Sequence, residues 1–93
     1  MQYVGTGRQG THQSASYTGT AGTITNAITD QVTKVRVIVT SAAYVKIDKS
    51  PTATSSDMYM PADSAEYFTV SAGMKVSAIQ VTSSGTLHVT EIA

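Results

Sequence analysis

Lys34-Val35-Arg36-Val37-Ile38-Val39-Thr40 is the stretch that decides the fold class. Val35, Val37 and Val39 fall on one side of an extended chain, and Lys34, Arg36, Ile38 and Thr40 on the other. That period of two, carried by β-branched residues, reads as a half-buried β-strand. The next segment, Ala43 to Asp48, alternates in the same way, with Ala43, Val45 and Ile47 opposed to Tyr44, Lys46 and Asp48. Ser41-Ala42 is a short connection, so one bulged strand from Lys34 to Asp48 is the alternative.

Working outward, Lys49 to Ser56 is a polar loop punctuated by Pro51, and Asp57 to Met60 is a short strand ended by Pro61. Glu66–Val70, Lys75–Thr82 and Thr86–Ile92 read as a meander, separated by Ser71-Ala72-Gly73 and Ser83-Ser84-Gly85. A glycine at the end of each loop suits the left-handed residue that short hairpins need. Toward the N-terminus, Ala21 to Ile28 fits one further short strand. No window keeps a helical apolar period, and 26 of the 93 residues are Ser or Thr, which favours sheet over helix. The fold expected is all-β: a small antiparallel sandwich of about seven strands, with jelly-roll winding as one form of it. Val35, Val37, Val39, Val45, Ile47, Ile79, Val81, Leu87 and Val89 are its expected core.

Residues 1–20 contrast with this. Residues 1–22 hold five of the seven glycines and only scattered apolar side chains. They read as a mobile arm preceding a domain at 21–93, because so little apolar area does not offset the entropy of ordering. Tyr3, Val4 and Tyr17 are the arm's few possible anchors on a partner.

Composition excludes several functions. A chain of 93 residues forms one domain and buries roughly 60–65% of its extended surface, a thin margin. There is no cysteine to staple it or bind a metal, so self-association is the expected supplement, as a dimer or trimer. Six basic and six acidic residues cancel and are scattered, unlike the basic stripe of a nucleic-acid binder. No apolar run approaches the roughly 20 residues of a membrane span, and the start lacks the pattern of a signal peptide.

Three motifs invite chemistry. Gly5-Thr6-Gly7-Arg8-Gln9-Gly10 spells a dinucleotide fingerprint, with Asp30 about 20 residues on. Too little chain precedes it for a strand, and no helical pattern follows, so a chance match in a glycine-rich segment is expected. His12 and His88 are the only histidines; without a nucleophile elbow they read as surface residues. Asp57, Asp63 and Glu66 lack calcium-loop spacing and read as solvated loop acids. The chain is therefore expected to be no enzyme and to need no metal or cofactor. Met58, Tyr59 and Met60, with Tyr67-Phe68 in the adjacent strand, form a Met and aromatic cluster suited either to a contact surface or to core. Tyr59, Tyr67 and Phe68 are the interface candidates there.

The ordered run Tyr44-Val45-Lys46-Ile47, Ser50-Pro51-Thr52-Ala53-Thr54, Met58-Tyr59-Met60-Pro61-Ala62, Glu66-Tyr67-Phe68, Gly73-Met74-Lys75-Val76, Ala78-Ile79-Gln80 and Gly85-Thr86-Leu87-His88-Val89-Thr90-Glu91 resembles small structural proteins of tailed bacteriophages. The resemblance covers a little over half the chain and rests on turn and strand motifs. It implies a head decoration or cement protein made in the host cytoplasm and carried on the virion exterior, with the major capsid protein as partner. A tail, fibre or head-fibre base module is the alternative it leaves open. It transfers no binding residue, and the N-terminal segment takes no part in it.

Overall fold

In the computed structural model, which describes residues 9–29 and 32–92, every regular element is a strand. The strands are β1 (Gln9–Tyr17), β2 (Gly22–Thr23), β3 (Lys34–Val39), β4 (Ala43–Asp48), β5 (Met58–Met60), β6 (Glu66–Thr69), β7 (Lys75–Gln80) and β8 (Gly85–Ile92). They form two antiparallel four-stranded sheets: sheet I in the order β1-β8-β3-β6 and sheet II in the order β2-β7-β4-β5. The pairs β1/β8, β2/β7, β3/β6 and β4/β5 are nested, as if one long hairpin had been rolled up. Contacts β3/β8 and β4/β7 then complete each sheet. This is the jelly-roll order, a double-sheet solution for an eight-stranded antiparallel chain.

The roll corrects the expected meander. β6, β7 and β8 alternate between sheets, so the loops at 71–73 and 83–85 arch across the sandwich instead of closing hairpins. Gly73 does adopt a left-handed φ of 88°. Gly85 is needed for space: a Cβ there would lie 2.6 Å from the Tyr17 hydroxyl. The Ser41-Ala42 connection is likewise a corner between sheets, since β3 and β4 lie in different ones.

The interior takes Val35, Val37 and Val39 from β3, Leu87 and Val89 from β8, and Ala43 and Val45 from β4, as the alternation requires. On β7 the inward set is Val76 and Ala78, opposite Ile47 and Val45. Ile79 and Val81 therefore stand on the other face, half-buried, and Ile47 packs at the margin of the core. A one-residue difference in register exchanges the two faces of a strand. Ile24, Ile28 and Val32 join the core from the long β2–β3 connection. That connection follows β7 through bonds from Ile24 N–H to Val76 O and from Ile28 N–H to Met74 O, although the ladder itself covers only Gly22 and Thr23. Glu91, buried at the inner face of β8, ties the same connection down by accepting from the N–H and the hydroxyl of Thr29, both at 3.0 Å. Pairing its charge with two donors is what makes burial of that carboxylate tolerable.

The division into an arm at 1–20 and a domain from 21 needs correction at 9–17, which form β1; residues 1–8 lie outside the described residues. β1 pairs with β8 from Gln9↔Ile92 to Tyr17↔Gly85, with one irregularity between Gln9 and His12. The ladder to β8 supplies backbone hydrogen bonds that composition does not reveal. Tyr3 and Val4 lie outside the described residues.

Candidate interaction surfaces

Tyr17, expected as an exposed anchor, is 1% exposed and lies in the core. Its hydroxyl donates to the Ser41 carbonyl and accepts from the Ser41 N–H at 3.1 Å, pinning the β3–β4 corner to the end of β1. Burial pushes its phenol above the ordinary tyrosine range, although the bonds with Ser41 and Thr40 act in the opposite direction. Phe68 is half-buried and packs against the core from β6, opposite Val35. It is a packing residue more than a surface anchor.

Tyr59 and Tyr67 do present surface, with about half of each side chain exposed, and Met58 is nearly as open. They do not form one patch. Tyr59 stands on the outer face of sheet II beside Tyr44, its register partner, in an edge-to-face contact with ring centroids 6.1 Å apart. Tyr67 stands on the outer face of sheet I, opposite Arg36. β5 and β6 are the two edge strands at this side of the roll, so the aromatics flank one margin of the sandwich and face opposite ways.

The two outer faces differ in cover. On sheet II the segment 49–57 folds back over the strands: Pro51 and Ala53 are buried, and the Ala53 N–H donates to Ser77 Oγ at 3.1 Å. Thr23 Oγ1 donates to the Pro51 carbonyl at 3.4 Å from the other side. Asp57 closes this loop by accepting from the N–H of Thr54 at 2.7 Å, so one of the loop acids has a local structural task. Among the described residues, no segment folds over the outer face of sheet I in this way. Its outward strand positions include His12, Ser14 and Ser16 of β1, Thr86, His88 and Thr90 of β8, Lys34, Arg36 and Ile38 of β3, and Tyr67 and Thr69 of β6. None of these is a carboxylate, while two carry a fixed positive charge.

The same face holds a feature that the sequence conceals. Antiparallel pairing of β1 with β8 places His12 opposite Thr90 and His88 opposite Ser14, so the two histidines are diagonal neighbours. His12 Nδ1 lies 2.8 Å from Thr90 Oγ1, and His12 Nε2 lies 3.4 Å from His88 Nδ1. The residues are 76 positions apart, and only the register brings them together.

Among the described residues there is no pocket and no group of three or more His, Asp or Glu side chains placed to hold a metal ion. Of the glycine fingerprint, Gln9 and Gly10 belong to β1, and the residues after them form a strand instead of the helix on whose N-terminus a pyrophosphate would sit; residues 5–8 and Asp30 lie outside the described residues. Compared with known proteins, the chain matches no family model, no curated protein and no solved structure.

Proposed function

We propose that this protein is a structural component of a bacteriophage virion, a decoration or cement protein that binds the outside of the head and bridges neighbouring copies of the major capsid protein. The observation that carries the reading is an eight-stranded jelly roll in which no described segment folds over one sheet face and two exposed tyrosines flank one margin. The ordered turn and strand motifs of residues 44–93 support it independently. Fold alone would not, since the same winding serves many functions.

Such a protein needs no reaction, only a surface repeated many times on a lattice. Tyr59 and Tyr67 supply apolar anchors with polar tips, and the edge strands β5 and β6 offer unpaired backbone groups for strand addition. Contacts that are weak singly become strong together when neighbouring copies share a rigid shell. A dimer or trimer would match the local symmetry axes of that shell.

The test is a phage lacking the protein. Particles should assemble but burst more readily on heating or osmotic shock, and adding purified protein should restore resistance. The protein should be present in virions at a copy number near that of the capsid protein. Robust particles that fail only in host attachment would transfer the assignment to the tail or fibre. Absence from virions, with turnover of a substrate, would end the structural reading.

A further inference from the structure

We propose that His12 and His88 form a surface site for a divalent late transition-metal ion, of the zinc, copper and nickel class, bridging β1 and β8. Three observations carry it. The first is separation. His12 Nε2 and His88 Nδ1 are 3.4 Å apart, longer than the roughly 2.7–3.2 Å of a normal hydrogen bond. Two nitrogens each about 2.0–2.1 Å from one tetrahedral ion stand about 3.3–3.4 Å apart. The second is the partner on the far side of the imidazole. With Nδ1–H of His12 donating to Thr90 Oγ1 at 2.8 Å, the lone pair sits on Nε2, the atom facing His88. A metal-bound histidine is usually oriented by such an outer hydrogen bond. Thr90 is itself buried, which fixes the acceptor. The third is the scaffold: both histidines sit on paired strands at the outward face of sheet I, His12 exposed and His88 half-buried, so water reaches the pair from the His12 side.

The donor set selects the ion. Imidazole nitrogens with no carboxylate at the neighbouring outward positions suit zinc, copper and nickel, and do not suit calcium or magnesium, which require oxygen ligands. The planes of the two rings differ by 24°. The rings are stacked with centroids 5.5 Å apart, so with His12 held by Thr90 it is His88 that turns about its soft last torsion to aim Nδ1 at the ion. With two protein ligands the site is of modest affinity, and its effect is to clamp the edge strand β1 onto β8. It stands apart from the proposed virion role and survives its failure.

The experiment uses the untagged full chain, with zinc chloride or nickel chloride as probe. Above the dissociation constant, each tenfold rise in free metal should lift the thermal midpoint by about 5–10 °C, and chelation should reverse it. His88→Gln and His12→Gln should each abolish the shift while remaining folded. Thr90→Val, which keeps both ligands but frees the His12 ring, should weaken binding about tenfold or more. Nickel broadening of the amide resonances should centre on residues 12 and 88. A midpoint that ignores metal, or an equal shift in wild type and His88→Gln, would overturn the site. So would broadening centred elsewhere.

Discussion

The two sheets of this roll share one core but differ in whether a described loop folds over the outer face. Sheet II carries Ser77 at an outward position and buries it beneath residues 51–53, so its outer surface is partly an internal contact. Sheet I carries Arg36, Ile38 and His88 at its outward positions and leaves them in reach of solvent. A small hydroxyl that accepts a backbone N–H lets the loop lie close over this part of sheet II. Ser77 and the loop above it thus contribute to folding stability, while no described segment packs on Arg36, Ile38 and His88 in this way. Substitutions on the two faces should therefore separate folding from binding.

The largest effect is expected where the open face meets the core. Tyr17 ends β1, the edge strand of sheet I, and both its ring and its hydroxyl are committed inward. Tyr17→Ala should cost about 3–5 kcal/mol, the range for deleting a large buried side chain, which is a large share of what a domain this small possesses. Chemical denaturation would measure it. A loss below about 1 kcal/mol would mean that β1 is dispensable and that the open face has only three strands of its own.

A change beneath the loop comes next. Ser77→Leu places a bulky group where Ala53 now rests on the strand. Overpacking of this kind typically costs about 1–3 kcal/mol, and the loop should lift, raising protease cleavage between residues 49 and 57. Unaltered stability and unaltered cleavage would show that sheet II is as open as sheet I, and the contrast between the faces would vanish.

How much of this was legible depends on the strand. β3 and β4 could be placed almost to the residue, because valines and isoleucines alternate there against charged residues and one face is far more apolar. β7 misled, because Lys75-Val76-Ser77-Ala78-Ile79-Gln80-Val81 offers apolar residues on both faces and the bulkier pair, Ile79 and Val81, is the outward one. Small Ala78 is inward because it opposes Val45, a fact of register that no local pattern contains. β1 was invisible for a different reason: its ladder is made by backbone groups, and Tyr17 is its single large apolar contribution. The surface was the least legible part. The Met and aromatic cluster leaves contact surface or core open in the sequence; both Tyr59 and Tyr67 are half exposed, and strands adjacent in sequence send them to opposite faces. The His12–His88 pair required pairing across nearly the whole chain.

A smaller effect sharpens the role of the corner that joins the sheets. Tyr17→Phe keeps the ring but strips the Ser41 N–H and carbonyl of their partner, at a cost of about 1–2 kcal/mol. It should also change the alkaline limb of stability. Burial raises the Tyr17 pKa above its unfolded value, so the folded state keeps a proton that the unfolded state surrenders. The contribution is therefore complete below the ordinary tyrosine value of about 10 and is lost as pH rises through the folded value. Wild type should weaken above about pH 10 more steeply than Tyr17→Phe. Parallel curves for the two proteins would remove Tyr17 from the account of alkaline unfolding.

The smallest effect on stability belongs to the open face, and it is the most informative about function. Lys34 and Arg36 stand in neighbouring outward rows of β3, opposite Ile92 and Thr90. Replacing both by serine should move the folding free energy by no more than about 0.5 kcal/mol, as is usual for surface positions without a special role. If the proposed capsid contact uses this face, the same double variant should bind deletion particles more weakly, and the deficit should shrink as salt rises and screens the interaction in wild type. Formal net charge is zero, so any salt dependence must come from where the charges lie and not from their sum. Tyr59→Ser, on the other sheet, then serves as the control for direction. Loss of binding from Tyr59→Ser with none from the double variant would turn the molecule over, placing the sheet II face and the β5 edge against the shell and leaving the cationic face outward.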